Sequence, residues 1–127
     1  MADTKKFELE FPINVSPKVL YYRLSTPSGL SEWFADDVNL KGTVFTFIWD
    51  GNEQQAELLG KKDNKFIRFR WIDSTEKESY FEFRISQDDL TGDVFLHVTD
   101  FAEEDEVEGS SELWEKQVAE LKHNLGS

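Results

Sequence analysis

The chain has 127 residues and a net charge of −12, from 14 Lys and Arg against 26 Asp and Glu, and it contains no cysteine. That balance argues against nucleic acid and anionic membrane surfaces, which need clustered Lys and Arg, while the missing cysteines exclude disulfides, thiolate catalysis and Cys-based zinc sites. Aromatic residues make up 14% of the chain, with 11 Phe and 4 Trp, too many for a disordered acidic chain, so the charge decorates a folded surface.

The first element expected is a half-buried strand from Lys6 to Asn14, where Phe7, Leu9, Phe11 and Ile13 alternate with polar residues. Met1 to Lys6 leads directly into it, without the apolar core of a signal peptide. No stretch is long and apolar enough to span a membrane, and the expected location is cytoplasmic. A helix follows, with Ser16 as its cap, Pro17 at its first position and Val15 stapled onto Leu20. Thr26-Pro27 opens a second short helix through Leu30, Trp33 and Phe34, which stops near Asp36-Asp37.

Strand patterns then succeed one another. Val38 to Leu40 is short, and Thr43 to Trp49 puts Phe45, Phe47 and Trp49 on one face. Asp50-Gly51 is a hairpin signal. Glu53 to Leu59 is a weakly patterned strand, turned at Gly60 to Asn64. Lys65 to Ile72 sets Ile67, Phe69 and Trp71 against Arg68 and Arg70, and Tyr80 to Ser86 sets Phe81, Phe83 and Ile85 against Glu82 and Arg84. Between them lies a polar loop, Asp73 to Glu78. The charged residues of these two strands read as cross-strand ion pairs on the outer face. Val94 to Phe101 is the last strand. The closing segment is a helix with a capping-box spacing at Asp105 and Glu108 and an apolar stripe through Val107, Ser110, Ser111, Trp114, Val118, Leu121 and Leu125.

No repeat, linker or low-complexity tract interrupts the chain, so residues 1–127 are expected to form a single domain. Short loops between successive strands imply an antiparallel meander of about seven strands. The closing helix is the only element long enough to cover the apolar face of such a sheet. The fold class is therefore α+β: a curved antiparallel sheet, two short helices after the first strand, and a long C-terminal helix packed across it.

This order of elements resembles the START-like (helix-grip, SRPBCC) superfamily. The likeness is carried by the helix opening at Ser16-Pro17, the segment Thr26-Pro-Ser-Gly-Leu-Ser-Glu-Trp-Phe34 and the closing helix. Ser31-Glu-Trp-Phe-Ala-Asp-Asp37, Phe45-Thr-Phe-Ile-Trp-Asp-Gly51 and Val98-Thr-Asp-Phe-Ala-Glu-Glu-Asp105 are most similar to compact bacterial proteins related to activators of the ninety-kilodalton heat-shock chaperone. The superfamily contains lipid carriers, cyclases and chaperone adaptors, so the resemblance implies a fold more firmly than an activity.

The resemblance implies a non-enzymatic binding module that takes a small apolar or amphipathic ligand, such as a lipid or aromatic metabolite, between sheet and helix. The expected lining is Trp33, Phe45, Phe47, Phe69, Trp71, Phe81, Phe83 and Trp114, with His97 or Asp100 as polar anchor. The alternatives are a co-chaperone-like protein-interaction domain acting through its acidic surface, and a cyclase-type enzyme needing a buried ionisable residue. A homodimer is also among the expectations, because small acidic domains often hide an apolar edge by pairing, usually with two-fold symmetry. No catalytic constellation, metal-ligand spacing or phosphate loop is visible, so neither a metal nor a cofactor is expected.

Overall fold

The computed structural model describes residues 4–74 and 79–126. Most of the expected loop Asp73 to Glu78 therefore lies outside the described residues, as do residues 1–3 and 127. The element order is β1 (Thr4–Ile13), α1 (Pro17–Ser25), α2 (Pro27–Leu30), β2 (Asp37–Lys41), β3 (Val44–Trp49), β4 (Asn52–Lys62), β5 (Phe66–Trp71), β6 (Phe81–Gln87), β7 (Val94–Glu103) and α3 (Val107–Leu125). All seven strands form one antiparallel sheet in the order β1-β7-β6-β5-β4-β3-β2. The last strand pairs with the first, and every other neighbour is a hairpin partner, as the short loops imply.

Local chemistry sets the boundaries. Ser16 Oγ accepts from the Val19 amide at 3.3 Å and caps α1, and Thr26 Oγ1 accepts from the Gly29 amide at 2.9 Å and caps α2. The two helices meet at Gly29, where a Cβ would stand 2.3 Å from the Tyr22 carbonyl oxygen, so only glycine permits the approach. The Asp50-Gly51 turn has φ of 47° and 80°, the doubly left-handed geometry that a right-twisted hairpin needs.

Three expectations require correction. α2 ends at Leu30, short of the expected stop near Asp36-Asp37; residues 31–34 continue as turns that still bury Trp33 and Phe34. β4 runs on to Lys62, because a bulge between Leu58 and Gly60 shifts the register by one residue and scrambles the alternation that reveals a strand. The capping box of α3 does not form: a 3₁₀ turn over Glu104–Glu106 leads into the helix, and no side chain caps its first turn.

Inward-facing rings build the core. Phe45, Phe47, Phe69, Phe81 and Phe83 are at most 2% exposed, and each contributes about 2–3 kcal/mol of apolar burial before entropy is charged against it. Trp114, Val118 and Leu121 of α3 are buried against the inner face of the sheet, on the expected stripe. Outside, Glu82 is buried although charged, and accepts from Arg68 at 2.6 Å and Arg84 at 3.1 Å, realising the expected ion pairs. Arg70 departs from that expectation and donates to the Ser79 carbonyl at 3.4 Å.

Candidate functional site

Strand alternation determines which side chains reach the space beneath α3. In β7, Val94, Leu96, Val98 and Asp100 fall on the inner face, whereas Phe95, His97, Thr99 and Phe101 fall outside. Asp100 is thus the one carboxylate that β7 turns inwards. Its Oδ2 accepts from the Trp114 indole Nε1 at 2.9 Å, and its Oδ1 accepts from the Phe101 amide at 2.8 Å. Burial raises the Asp100 carboxyl above the ordinary aspartate range, against the opposing pull of the hydrogen bonds from Trp114 and Phe101.

Around this pair a cleft of about 410 Å³ is lined by Phe34, Trp49, Gln54, Trp71, Asp100, Ser110, Leu113, Trp114 and Gln117. Its walls are stiffened by their own contacts. Phe34 stacks on Trp114 with centroids 5.7 Å apart at 12°, and Trp71 stacks on Phe81 at 4.8 Å. Trp49 Nε1 donates to the Phe34 carbonyl at 2.7 Å, a carbonyl that also accepts from Gln117 Nε2 at 3.3 Å. The segment after α2, the end of β3 and the middle of α3 are therefore tied at one point. Leu113, 59% exposed, stands at the rim. A smaller cleft, about 230 Å³, shares Trp71 and Asp100 and extends towards Tyr80 and Phe101.

The ten residues expected to line a cavity separate into three groups. Trp71, Asp100 and Trp114 do line this cleft. Phe45, Phe47, Phe69, Phe81 and Phe83 do not: they pack ring against ring, as in the Phe69–Phe81 stack at 4.9 Å, and fill the space that a larger cavity would need. Trp33 is also core, held by an Nε1 bond to the Arg23 carbonyl at 2.8 Å, although its residue borders a neighbouring surface cleft. His97 lies on the opposite, outer face of the sheet and cannot anchor anything bound beneath α3.

His97 has a different neighbourhood that the sequence order did not reveal. Its Nε2 is 2.7 Å from Ser86 Oγ and its Nδ1 is 3.8 Å from Glu8 Oε1. Hydroxyl, imidazole and carboxylate in that succession form the skeleton of a hydrolytic triad. Here Ser86 is exposed on the outer face of the sheet rather than set in a cleft that would hold a substrate against it. We read it as a surface hydrogen-bond chain.

Phe34, Trp49, Gln54, Ser110, Leu113 and Gln117 are the lining residues that sequence reasoning missed. Trp49 continues the inward alternation of Phe45 and Phe47, while Ser110 and Gln117 are one helical turn either side of Trp114, so both periodicities pointed to them. A larger recess, about 860 Å³, is formed at the other end of β7 by Pro12–Pro17, Gln87, Gly92–Phe95 and Lys122. It is bordered by strand ends and the loops beside them, without the convergence of rings on a half-buried carboxylate that distinguishes the Asp100 cleft. Among the described residues, no helix is long and apolar enough to cross a membrane.

A START-like superfamily domain profile matches residues 1–127. A protein of Bacteroides fragilis, known from its solution structure, is 38% identical, with 98% of this chain and 93% of that chain covered and a TM-score of 0.70. The Aha1 dimer of Colwellia psychrerythraea is 18% identical over 93% of each chain, with a TM-score of 0.78. The protein MLL2253 of Mesorhizobium loti is 18% identical over 96% of this chain and 97% of that one, also at 0.78. None of the curated proteins matches the chain. The sheet order, the two short helices, the covering α3 and the profile match agree, and the chain belongs to the START-like superfamily.

Proposed function

We propose that the protein is a non-enzymatic binding module that takes one small apolar or amphipathic molecule in the cleft between β3, β5 and α3. The observation carrying this reading is the Asp100–Trp114 pair, a half-buried polar contact at the base of a cleft walled by Phe34, Trp49 and Trp71. Apolar walls with few convergent polar groups are the usual form of a small-molecule site, and about 410 Å³ is within the usual range of such sites. The ligand sits at the mouth of the sheet and helix rather than deep between them, because the inner space is occupied by phenylalanines.

Acid–base chemistry of the cyclase kind has one candidate group here, Asp100, and among the described residues no second ionisable side chain lines the same cleft. The binding reading therefore uses more of the geometry. It is tested by native mass spectrometry of freshly purified protein, followed by titration with fatty acids, sterols and aromatic metabolites under tryptophan fluorescence. Saturable quenching that weakens in both Trp71→Ala and Trp114→Ala supports the reading. Tight binding unaffected by either substitution removes it.

A protein-interaction role through the acidic surface has one observation in its favour. Repulsion from Glu106 and Asp105 raises the Glu103 carboxyl, and of the acidic run Glu103–Glu106 Glu104 is paired with Lys5 at 3.1 Å. Capture of a basic protein partner that is lost at high ionic strength would favour this second reading.

A further inference from the structure

We propose that the Asp100 cleft selects an organic ammonium ion, with its charged head against Asp100 and its apolar body along Trp49, Trp71 and Trp114. This rests on the ligand-binding reading above and narrows it to one chemical class.

Charge decides first. Among the described residues lining the cleft, Asp100 is the only ionisable one; the other polar groups, Gln54, Ser110 and Gln117, are neutral. Among the described lining residues a carboxylate or phosphate head would meet no Lys, Arg or His and would face like charge. An ammonium head supplies the counter-charge that a half-buried carboxylate lacks in the free protein. The Asp100 oxygens are also not exhausted. Each accepts one bond, from Trp114 Nε1 and from the Phe101 amide, whereas an ionised carboxylate offers about four acceptor positions.

The walls agree with the head group. Trp49 and Trp71 have ring centroids 6.2 Å apart with planes inclined at 58°, and Phe34 stands 5.4 Å from Trp49 at 74°. Rings that meet at such angles form a corner in which one cation approaches more than one π surface, and tryptophan is the most favourable partner for it. The approach is biased in the same sense. An adjoining cleft shares Phe34, Trp49 and Gln117 and is bordered by Glu32, Asp36 and Glu120; Arg23 pairs with Glu32, and Asp36 and Glu120 carry the remaining negative charge there. Together with a net charge of −12, this gives a potential that attracts cations and repels anionic lipids.

The test uses three probes with one ring system and different heads: naphthylmethylamine, naphthalenemethanol and naphthoate. Each is titrated calorimetrically into the full chain near neutral pH and at low salt. The expected result is that the amine binds at least about tenfold more tightly than the alcohol, and the naphthoate most weakly. Asp100→Asn, which keeps an acceptor for the Trp114 indole, brings amine and alcohol to equal affinity. Trp71→Leu, which keeps apolar bulk but removes the π face, lowers the preference for the amine and serves if the Asn variant does not fold. Equal affinity of amine and alcohol in the natural protein overturns the ammonium inference and leaves an apolar cleft standing. A preference for naphthoate, or an amine preference that survives both substitutions, overturns it too. Binding of none of the three removes the cleft reading and the ammonium inference together.

Discussion

Trp114 joins α3 to the sheet and to the cleft, so its removal tests both. The side chain is 7% exposed, and its ring packs on Phe34, Phe81 and Phe83 with centroids 5.7, 6.3 and 5.7 Å away. A buried tryptophan removes about 200 Å² from water, which at about 25 cal/mol per Å² amounts to ~5 kcal/mol. A compact unfolded chain reduces that figure by 10–40%, to roughly 3–4.5 kcal/mol, in line with the cost of about 3–5 kcal/mol for large-to-small aromatic truncation. Trp114→Ala is therefore expected to lose about 3–5 kcal/mol, much of the stability of a typical domain. Trp114→Phe keeps a ring but deletes the N–H that meets Asp100, and is expected to lose about 1–3 kcal/mol. Urea unfolding followed by far-ultraviolet circular dichroism measures both. A loss below about 1 kcal/mol in Trp114→Ala would mean that these ring contacts do not hold the helix, and the packing argument would be wrong.

Three other perturbations follow from the same contacts. Because burial raises the Asp100 carboxyl, the folded protein holds that proton more tightly than the unfolded chain, so this group's contribution to stability falls as pH rises through the interval between the two values. Asp100→Asn should be the more stable protein at neutral pH and converge with the natural one in acid, whereas Asp100→Ala, which strands the Trp114 indole N–H, should cost about 1–3 kcal/mol; thermal melts across pH separate the cases. Glu82→Gln is expected to cost about 1–2 kcal/mol in urea unfolding, since a buried carboxylate bonded to Arg68 and Arg84 is lost while both arginines remain partly in water; an unchanged midpoint would show that the outer ion pairs contribute nothing. The Tyr21 hydroxyl is buried without a well-formed hydrogen bond among the described residues, and the neighbouring Ser25 hydroxyl donates to the Tyr21 carbonyl at 2.7 Å instead, so Tyr21→Phe should be neutral or stabilising by up to about 1 kcal/mol, and a clear loss would show that Ser25 meets the phenol.

Much of the fold was legible because its signals are local. The inward rings of β3, β5 and β6 follow a period of two, the Ser16 and Thr26 caps precede prolines, and the stripe of α3 has helical spacing. β4 was poorly legible for a physical reason, since its bulge breaks the alternation between Leu58 and Gly60. The entry to α3 misled because a capping-box spacing says which residues could bond, not that the backbone takes the turn that allows it.

The site was legible only in part, because burial depth is a tertiary property. Phe81 and Trp71 carry the same inward signal, yet the former is covered and the latter borders the cleft. Asp100 and His97 were equivalent polar interruptions of β7 by composition. Their separation by three residues places them on opposite faces, and the alternation alone would have assigned Asp100 inwards with Val98 and His97 outwards.

The most direct test of a cleft at Trp71, Asp100 and Trp114 is a titration of the nitrogen-labelled protein with naphthylmethylamine and naphthalenemethanol, followed through the four tryptophan indole N–H signals. The account predicts saturable shifts of the Trp49, Trp71 and Trp114 indoles, while the Trp33 indole, bonded to the Arg23 carbonyl in the core, stays in place. Four unmoved signals, or movement of Trp33 alone, would contradict a ligand site between β3, β5 and α3.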